Sequence, residues 1–236
     1  MIPIADDAPT RRPAFLNWLL IAACAVVFGW ELSLGRAMDA AIAVLGFTPA
    51  SFFHPHAEVG LPGYVTVPGW ATIFTAMFLH GGVLHIGGNM LYLWIFGRHI
   101  EDAMGHLRYL VFYLASGIAA ALTFAYMDPA SHAPMIGASG AISGVLAAYV
   151  LLFPRARVTV IVPLGIIFYP FAISAVWVIG FWFILQLVSV LMNEGAHTDI
   201  AWWAHIGGFV FGLLSTPFFK SRQFQLFGRH RVGPWG

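Results

Sequence analysis

The chain has 236 residues, of which 60% are hydrophobic, 16% aromatic and 9% charged, and its mean hydropathy is +0.82, well outside the range of soluble domains. A formal net charge of +1 gives no electrostatic basis for nucleic-acid binding, and the single cysteine, Cys24, excludes an internal disulfide. The composition is that of a membrane protein whose partner is the lipid bilayer. One domain is expected, because no linker, charge run, low-complexity tract or internal repeat divides the chain.

A helix needs ~20 mostly apolar residues to cross the hydrocarbon core. Six stretches qualify: 14–33, 76–97, 107–127, 136–153, 171–192 and 201–219. They predict an all-α, six-transmembrane-helix bundle over 14–219, flanked by cytoplasmic tails at 1–13 and 220–236. A further apolar stretch, Val158 to Phe168, is short and broken by Pro163 and Gly165, which suits an interfacial or re-entrant segment better than a span.

With six spans, Arg11, Arg12, Arg98, Arg108, Arg155, Arg157, Lys220, Arg222, Arg229 and Arg231 fall on one side and only Arg36 on the other. The positive-inside rule then puts both termini in the cytoplasm and loops 1, 3 and 5 outside, whereas a seventh crossing would destroy the asymmetry. Arg11-Arg12 ahead of an apolar run containing Ile21-Ala22-Ala23-Cys24 also resembles an export or lipoprotein leader. The run continues past Cys24 to Trp30, however, and Cys24 is more simply a small buried residue. With no Arg/Ser-rich amphipathic leader, a bacterial plasma membrane is expected rather than an organelle.

Hydrogen-bonding residues inside a membrane are costly, so each is a functional candidate. In span two, His85 and Asn89 stand at i and i+4 and share a helical face. His80, five residues earlier, is about 140° around a continuous helix and is expected to face elsewhere, capping or contacting the first external loop. Span four opens on Gly137-Ala138-Ser139-Gly140-Ala141-Ile142-Ser143-Gly144, and span six on Ala204-His205-Ile206-Gly207-Gly208. Gly140 with Gly144, and Gly208 with Gly212, make small faces that would let these two helices approach closely, bringing Ser139 near His205 at the external side.

A serine in a glycine-rich helix face is, by itself, more often packing than chemistry. Together with a histidine it can be a nucleophile, with His205 taking its proton. Helix-start amides, Ser139's own among them, and the side chains of His85 and Asn89 could hold the oxyanion that results. Asp199 lies in a loop and Asp128 beyond the end of span three, so a Ser–His dyad without a third member is expected. Water would need a polar cavity open to the outside, for which the surrounding glycines leave room. Zinc on His80, His85 and His205 is the rival reading. Against it stand the lack of an H-E-x-x-H motif, the lack of acidic residues in the relevant helices and the poor i, i+5 spacing. Transport is disfavoured by the absence of an inverted repeat.

From about span two to span six the chain resembles the rhomboid intramembrane serine proteases. The likeness rests on His80, His85 and Asn89 in span two, Gly137-Ala138-Ser139-Gly140 opening span four, and Ala204-His205-Ile206-Gly207-Gly208 in span six. It implies a six-helix bundle that cleaves the transmembrane segments of single-pass proteins, with Ser139 as nucleophile, His205 as base, His85 and Asn89 at the oxyanion site and no metal or other cofactor. By the same likeness His80 faces the first loop, and Glu101 matches a structural acidic residue on the cytoplasmic side. Two positions depart from the family pattern. Trp70 is followed by Ala71 rather than arginine, and Ser143 stands where some members carry a tyrosine against the histidine, leaving Trp202 or Trp203 as candidate aromatic neighbours. The loop from about Gly35 to Ala71, with its apolar stretch Ala40 to Phe53, resembles the family's interfacial first loop. The alternative to an enzyme is a rhomboid-like protein that binds transmembrane helices without cutting them. Inactive relatives typically lose the serine or the histidine, and this chain keeps both.

Overall fold

The structure, a computed structural model, describes residues 2–54, 67–164, 167–192 and 201–228. Among these, three helices are long and apolar enough to cross a membrane: α1 (Phe15–Ser33), α7 (His106–Met127) and α9 (Ala175–Met192). Between α1 and α7 lie α2 (Met38–Leu45), α3 (Pro49–Phe53), α4 (Gly69–Ala76), α5 (Val83–Tyr92) and α6 (Arg98–Met104). Two further apolar helices, α8 (Ser139–Leu152) and α10 (Trp202–Phe219), complete the bundle.

Helix α8 is the axis of the core. Ile142, Ser143, Gly144, Val145, Leu146, Ala147, Ala148 and Tyr149 are all buried, as expected of a helix that is apolar on every side. Its neighbours approach through glycine. A Cβ on Gly208 of α10 would collide with the Gly140 carbonyl, one on Gly212 would stand 2.7 Å from the Gly144 Cα, and one on Gly144 would collide with the Ser116 hydroxyl of α7. The backbones of α8 and α10 therefore touch, and this close approach sets Ser139 beside His205.

The second expected span is not one continuous helix. α4 ends at Ala76, residues 77–82 turn, and α5 passes through a π-helical turn, Leu93–Gly97, into α6. Such a turn leaves a carbonyl without its usual i+4 partner, and Asn17 of α1 donates its Nδ2 proton to the Leu93 oxygen at 3.0 Å while accepting the Tyr109 hydroxyl at 2.7 Å. Glu101 caps α1 from α6, its carboxylate accepting the amide protons of Leu16 (3.0 Å) and Asn17 (2.7 Å). These are first-turn donors with no partner inside their own helix.

The all-α expectation needs correction. An antiparallel sheet of order β1-β2-β3 joins β1 (Ile2–Asp6), β2 (Arg157–Leu164) and β3 (Ile167–Ser174). The run Val158-Thr159-Val160-Ile161-Val162 is β-branched throughout, and Val158 and Val160 are buried while Thr159 is partly exposed, the period of two that marks a strand. The apolar stretch from Val158 is thus half of a hairpin, β3 takes the first residues expected of span five, and the N-terminal tail supplies the third strand. Asp6 fastens the sheet to the helices, accepting hydrogen bonds from Arg98 (2.6 Å), His99 (2.8 Å) and the Tyr149 hydroxyl. Burial pushes its carboxyl up, but the bond and charge of His99, with Tyr149 and Arg98, outweigh burial and hold it below its ordinary value.

The first loop begins with a 3₁₀ turn at Gly35–Ala37 and continues through α2 and α3; its middle, 55–66, lies outside the described residues. Phe47 exchanges backbone hydrogen bonds with Met135 (3.0 and 2.8 Å), so this loop braces the segment that leads into Ser139.

Candidate active site

Ser139 is the first residue of α8. Gly137 just before it has φ +111°, a conformation that side-chain-bearing residues rarely adopt, and its amide donates to the Ala76 carbonyl at 2.8 Å. This turn presents the first-turn amides of α8, which have no acceptor within the helix and carry the positive end of its dipole. Ser139 and His205 are both partly exposed, and His205 Nε2 lies 2.8 Å from Ser139 Oγ. Ser143 behaves differently: it is fully buried and donates its hydroxyl proton back to the Ser139 carbonyl at 2.7 Å, a local bond that occupies it.

The other imidazole nitrogen is also engaged. His205 Nδ1 lies 2.8 Å from Gln186 Oε1 on α9, and Gln186 Nε2 donates to the Trp182 carbonyl at 3.1 Å. The expectation of a dyad with no orienting partner is therefore revised. No carboxylate contacts His205 in the described structure, but a neutral amide occupies the orienting position; Asp199 lies outside the described residues. Two indoles flank the ring, Trp182 at 5.9 Å between centroids and Trp202 at 6.1 Å, nearly perpendicular. Gln186 left a visible signal in the sequence as a lone amide in the most apolar helix, which is reason enough to suspect a buried role.

His85 and Asn89 share a face of α5, as their spacing predicts, and that face meets the turn before Ser139. A Cβ built on Gly137 would stand 2.6 Å from His85 Nε2 and 3.6 Å from Asn89 Nδ2, so only glycine leaves these groups room. The Gly81 amide donates to His85 Nδ1 over a long 3.4 Å, which leaves the ring proton on Nε2, facing the turn. Asn89 is buried, and its Nδ2 has no hydrogen-bond partner in the described structure.

His80 departs from the helical-wheel expectation. It lies in the turn before α5 rather than on the helix, so the 140° offset does not apply, and its ring packs edge-on against His85 with centroids 5.2 Å apart. Its backbone N–H donates to both carboxylate oxygens of Glu31, at 3.1 and 3.3 Å. Glu31 is fully buried near the end of α1, and its position at the close of an apolar span carries no sequence signal of a partner 49 residues away. No group of three or more His, Cys, Asp or Glu able to share a metal ion occurs among the described residues.

Membrane-capable helices around a hydrogen-bonded serine and histidine, with a further histidine and asparagine facing the serine's helix start, define the class: a helical membrane protein carrying a polar site within its bundle. The rhomboid domain model matches residues 68–222, and the chain belongs to the rhomboid family. It is 33% identical over 153 residues to "Rhomboid protein 1, mitochondrial" of Saccharomyces cerevisiae, covering 61% of this chain and 40% of that one. It is also 33% identical over 148 residues to "Rhomboid protease GluP" of Bacillus subtilis, covering 62% and 25%. Similarity extends to a relative named as inactive, "Inactive rhomboid protein 1" of Drosophila melanogaster, 32% identical over 80 residues that cover 34% of this chain and 6% of that one. The chain thus spans well under half the length of these relatives.

Proposed function

We propose that this protein is an intramembrane serine endopeptidase that cleaves within or beside the transmembrane helix of a single-pass client. The observation that carries the reading is the 2.8 Å approach of His205 Nε2 to Ser139 Oγ. His205 takes the hydroxyl proton as Oγ attacks the scissile carbonyl. The negative charge that develops on the carbonyl oxygen is held by the Ser139 amide, His85 Nε2–H and Asn89 Nδ2–H. His205 then returns the proton to the leaving amine, the peptide bond breaks, and an acyl-serine remains. Water attacks the acyl carbon with His205 again as base, releasing the second product and restoring the serine.

A client helix hides its scissile carbonyl in backbone hydrogen bonds, so clients carrying Gly or Pro near the cleaved bond, which unwind readily, are favoured. The six-span topology with both termini in the cytoplasm is part of the same proposal and is supported by the arginine distribution; a bacterial plasma membrane is the location proposed with it. The second reading, a non-cleaving binder of transmembrane helices, is kept by the similarity to a relative named as inactive. The paired Ser139 and His205 favour catalysis over it. The test is cleavage of a Gly-containing single-pass client in proteoliposomes. Wild type is expected to cut it and Ser139→Ala and His205→Ala to leave it intact, whereas a wild type that binds the client without cutting establishes the second reading.

A further inference from the structure

The hydrogen bonds around Gln186 determine more than the orientation of a ring. A backbone carbonyl has lone pairs and no proton, so the side-chain group of Gln186 that faces the Trp182 oxygen at 3.1 Å must be its NH2. The amide oxygen is thereby turned toward His205 Nδ1, 2.8 Å away. Because that oxygen can only accept, Nδ1 must carry the ring proton. Nε2 is then left with its lone pair, 2.8 Å from the Ser139 hydroxyl. The opposite tautomer would set the lone pair of Nδ1 against those of the amide oxygen, and would present the serine with an N–H that can take no proton.

We infer that Gln186 is the positioning residue of the Ser139–His205 pair: it passes the polarity of the α9 backbone at Trp182 to the imidazole and holds His205 in the tautomer a general base requires. This rests on the hydrolase reading above. Gln186 is only 5% exposed, so bulk water is poorly placed to substitute for it. Along α9 the buried residues are Ala175, Ile179 and Gln186, whereas Trp177, Phe181, Ile184 and Leu187 are exposed. Ile179 and Gln186 stand two helical turns apart on the inward stripe, so the one amide on this helix is aimed at the bundle. A neutral acceptor suits the site, since a carboxylate would fix the same tautomer at the expense of an additional buried charge within the membrane. His85 on α5 is the titratable side chain whose charge reaches His205 among the described residues, and it stays unaltered in the test.

The experiment measures the rate at which a fluorophosphonate labels the full chain in detergent, across pH, for wild type, Gln186→Leu, Gln186→Glu, Ser139→Ala and His205→Ala, with thermal midpoints measured in parallel. Gln186→Leu removes the acceptor and is expected to slow labelling roughly 10-fold to 100-fold in folded protein. Gln186→Glu keeps the acceptor and adds negative charge beside the imidazole. It is expected to label well, with the acid limb of its rate profile moved to higher pH, a displacement that a purely structural role would not produce. Wild-type labelling by Gln186→Leu, or a Gln186→Glu profile that superimposes on wild type, overturns the assignment. If Gln186→Leu does not fold, the Gln186→Glu profile decides alone. Failure of the underlying reading looks different: labelling would survive in Ser139→Ala or His205→Ala.

Discussion

Glu31 and His80, 49 residues apart in the chain, are joined by the backbone N–H of the histidine donating to both oxygens of the glutamate at 3.1 and 3.3 Å. Both residues are fully buried, and the bond ties the end of α1 to the turn that sets the start of α5. Since α5 carries His85 and Asn89, α1 takes part in placing the two proposed oxyanion donors without touching Ser139 or His205. Glu31→Ala leaves a buried amide donor unpaired, a loss of about 1–3 kcal/mol. It is expected to lower both the thermal midpoint and client cleavage, whereas Glu31→Gln keeps an acceptor and retains most of both. Equal losses in the two variants would show that the charge matters rather than the acceptor.

Asn89 presents an unpaired Nδ2 to the turn before Ser139, which suits a donor whose partner forms only during reaction. Asn89→Ala is expected to reduce kcat by roughly a hundredfold with little change in KM. A change confined to KM would mean that the amide binds substrate in the ground state instead.

The backbone contact between α8 and α10 leaves no room at Gly208, where a Cβ would meet the Gly140 carbonyl. Gly208→Ala is expected to force the helices apart, costing about 1–3 kcal/mol and lengthening the Ser139–His205 hydrogen bond, so stability and labelling fall together. Gly87→Ala, where a Cβ meets nothing within 4 Å, is the control and should change little.

Asp6 makes the docking of β1 sensitive to acid. Its folded value lies below its ordinary 3.8, so the stability it contributes is fully present above pH 3.8 and is lost as pH falls through the lower folded value. Amide exchange protection factors for Ile4, Ala5 and Asp6 are expected to fall on acidification through this range in wild type. Asp6→Asn should be poorly protected at neutral pH already, and nearly insensitive to acid. A protection profile in Asp6→Asn that matches wild type across the whole pH range would separate β1 docking from the Asp6 cluster.

Much of the candidate site is legible because membrane burial makes each polar group conspicuous: Ser139, His205, His85 and Asn89 stand out against apolar runs, and the paired glycines indicate which helices touch. What escaped had physical causes. Gln186 is not marked by any local motif, because its partner is 19 residues away, on a helix whose angular position the sequence does not state. His80 was assigned by helical period to a stretch that is a turn, where that period has no meaning. Hydropathy alone hides the β2–β3 hairpin, although the unbroken β-branched run Val158 to Val162 carries the strand signal, and nothing local marks residues 2–6 as the third strand, since their pairing with β2 is made across some 150 residues of chain.

The most direct measurement is the site of fluorophosphonate attachment, read by mass spectrometry of the labelled chain. The adduct is expected on Ser139 in wild type and nowhere in His205→Ala, with Ser143 unmodified because its hydroxyl is buried and bonded to the Ser139 carbonyl. An adduct on Ser143, or a cleaving enzyme whose Ser139 stays unlabelled, would contradict the assignment of Ser139 as the nucleophile.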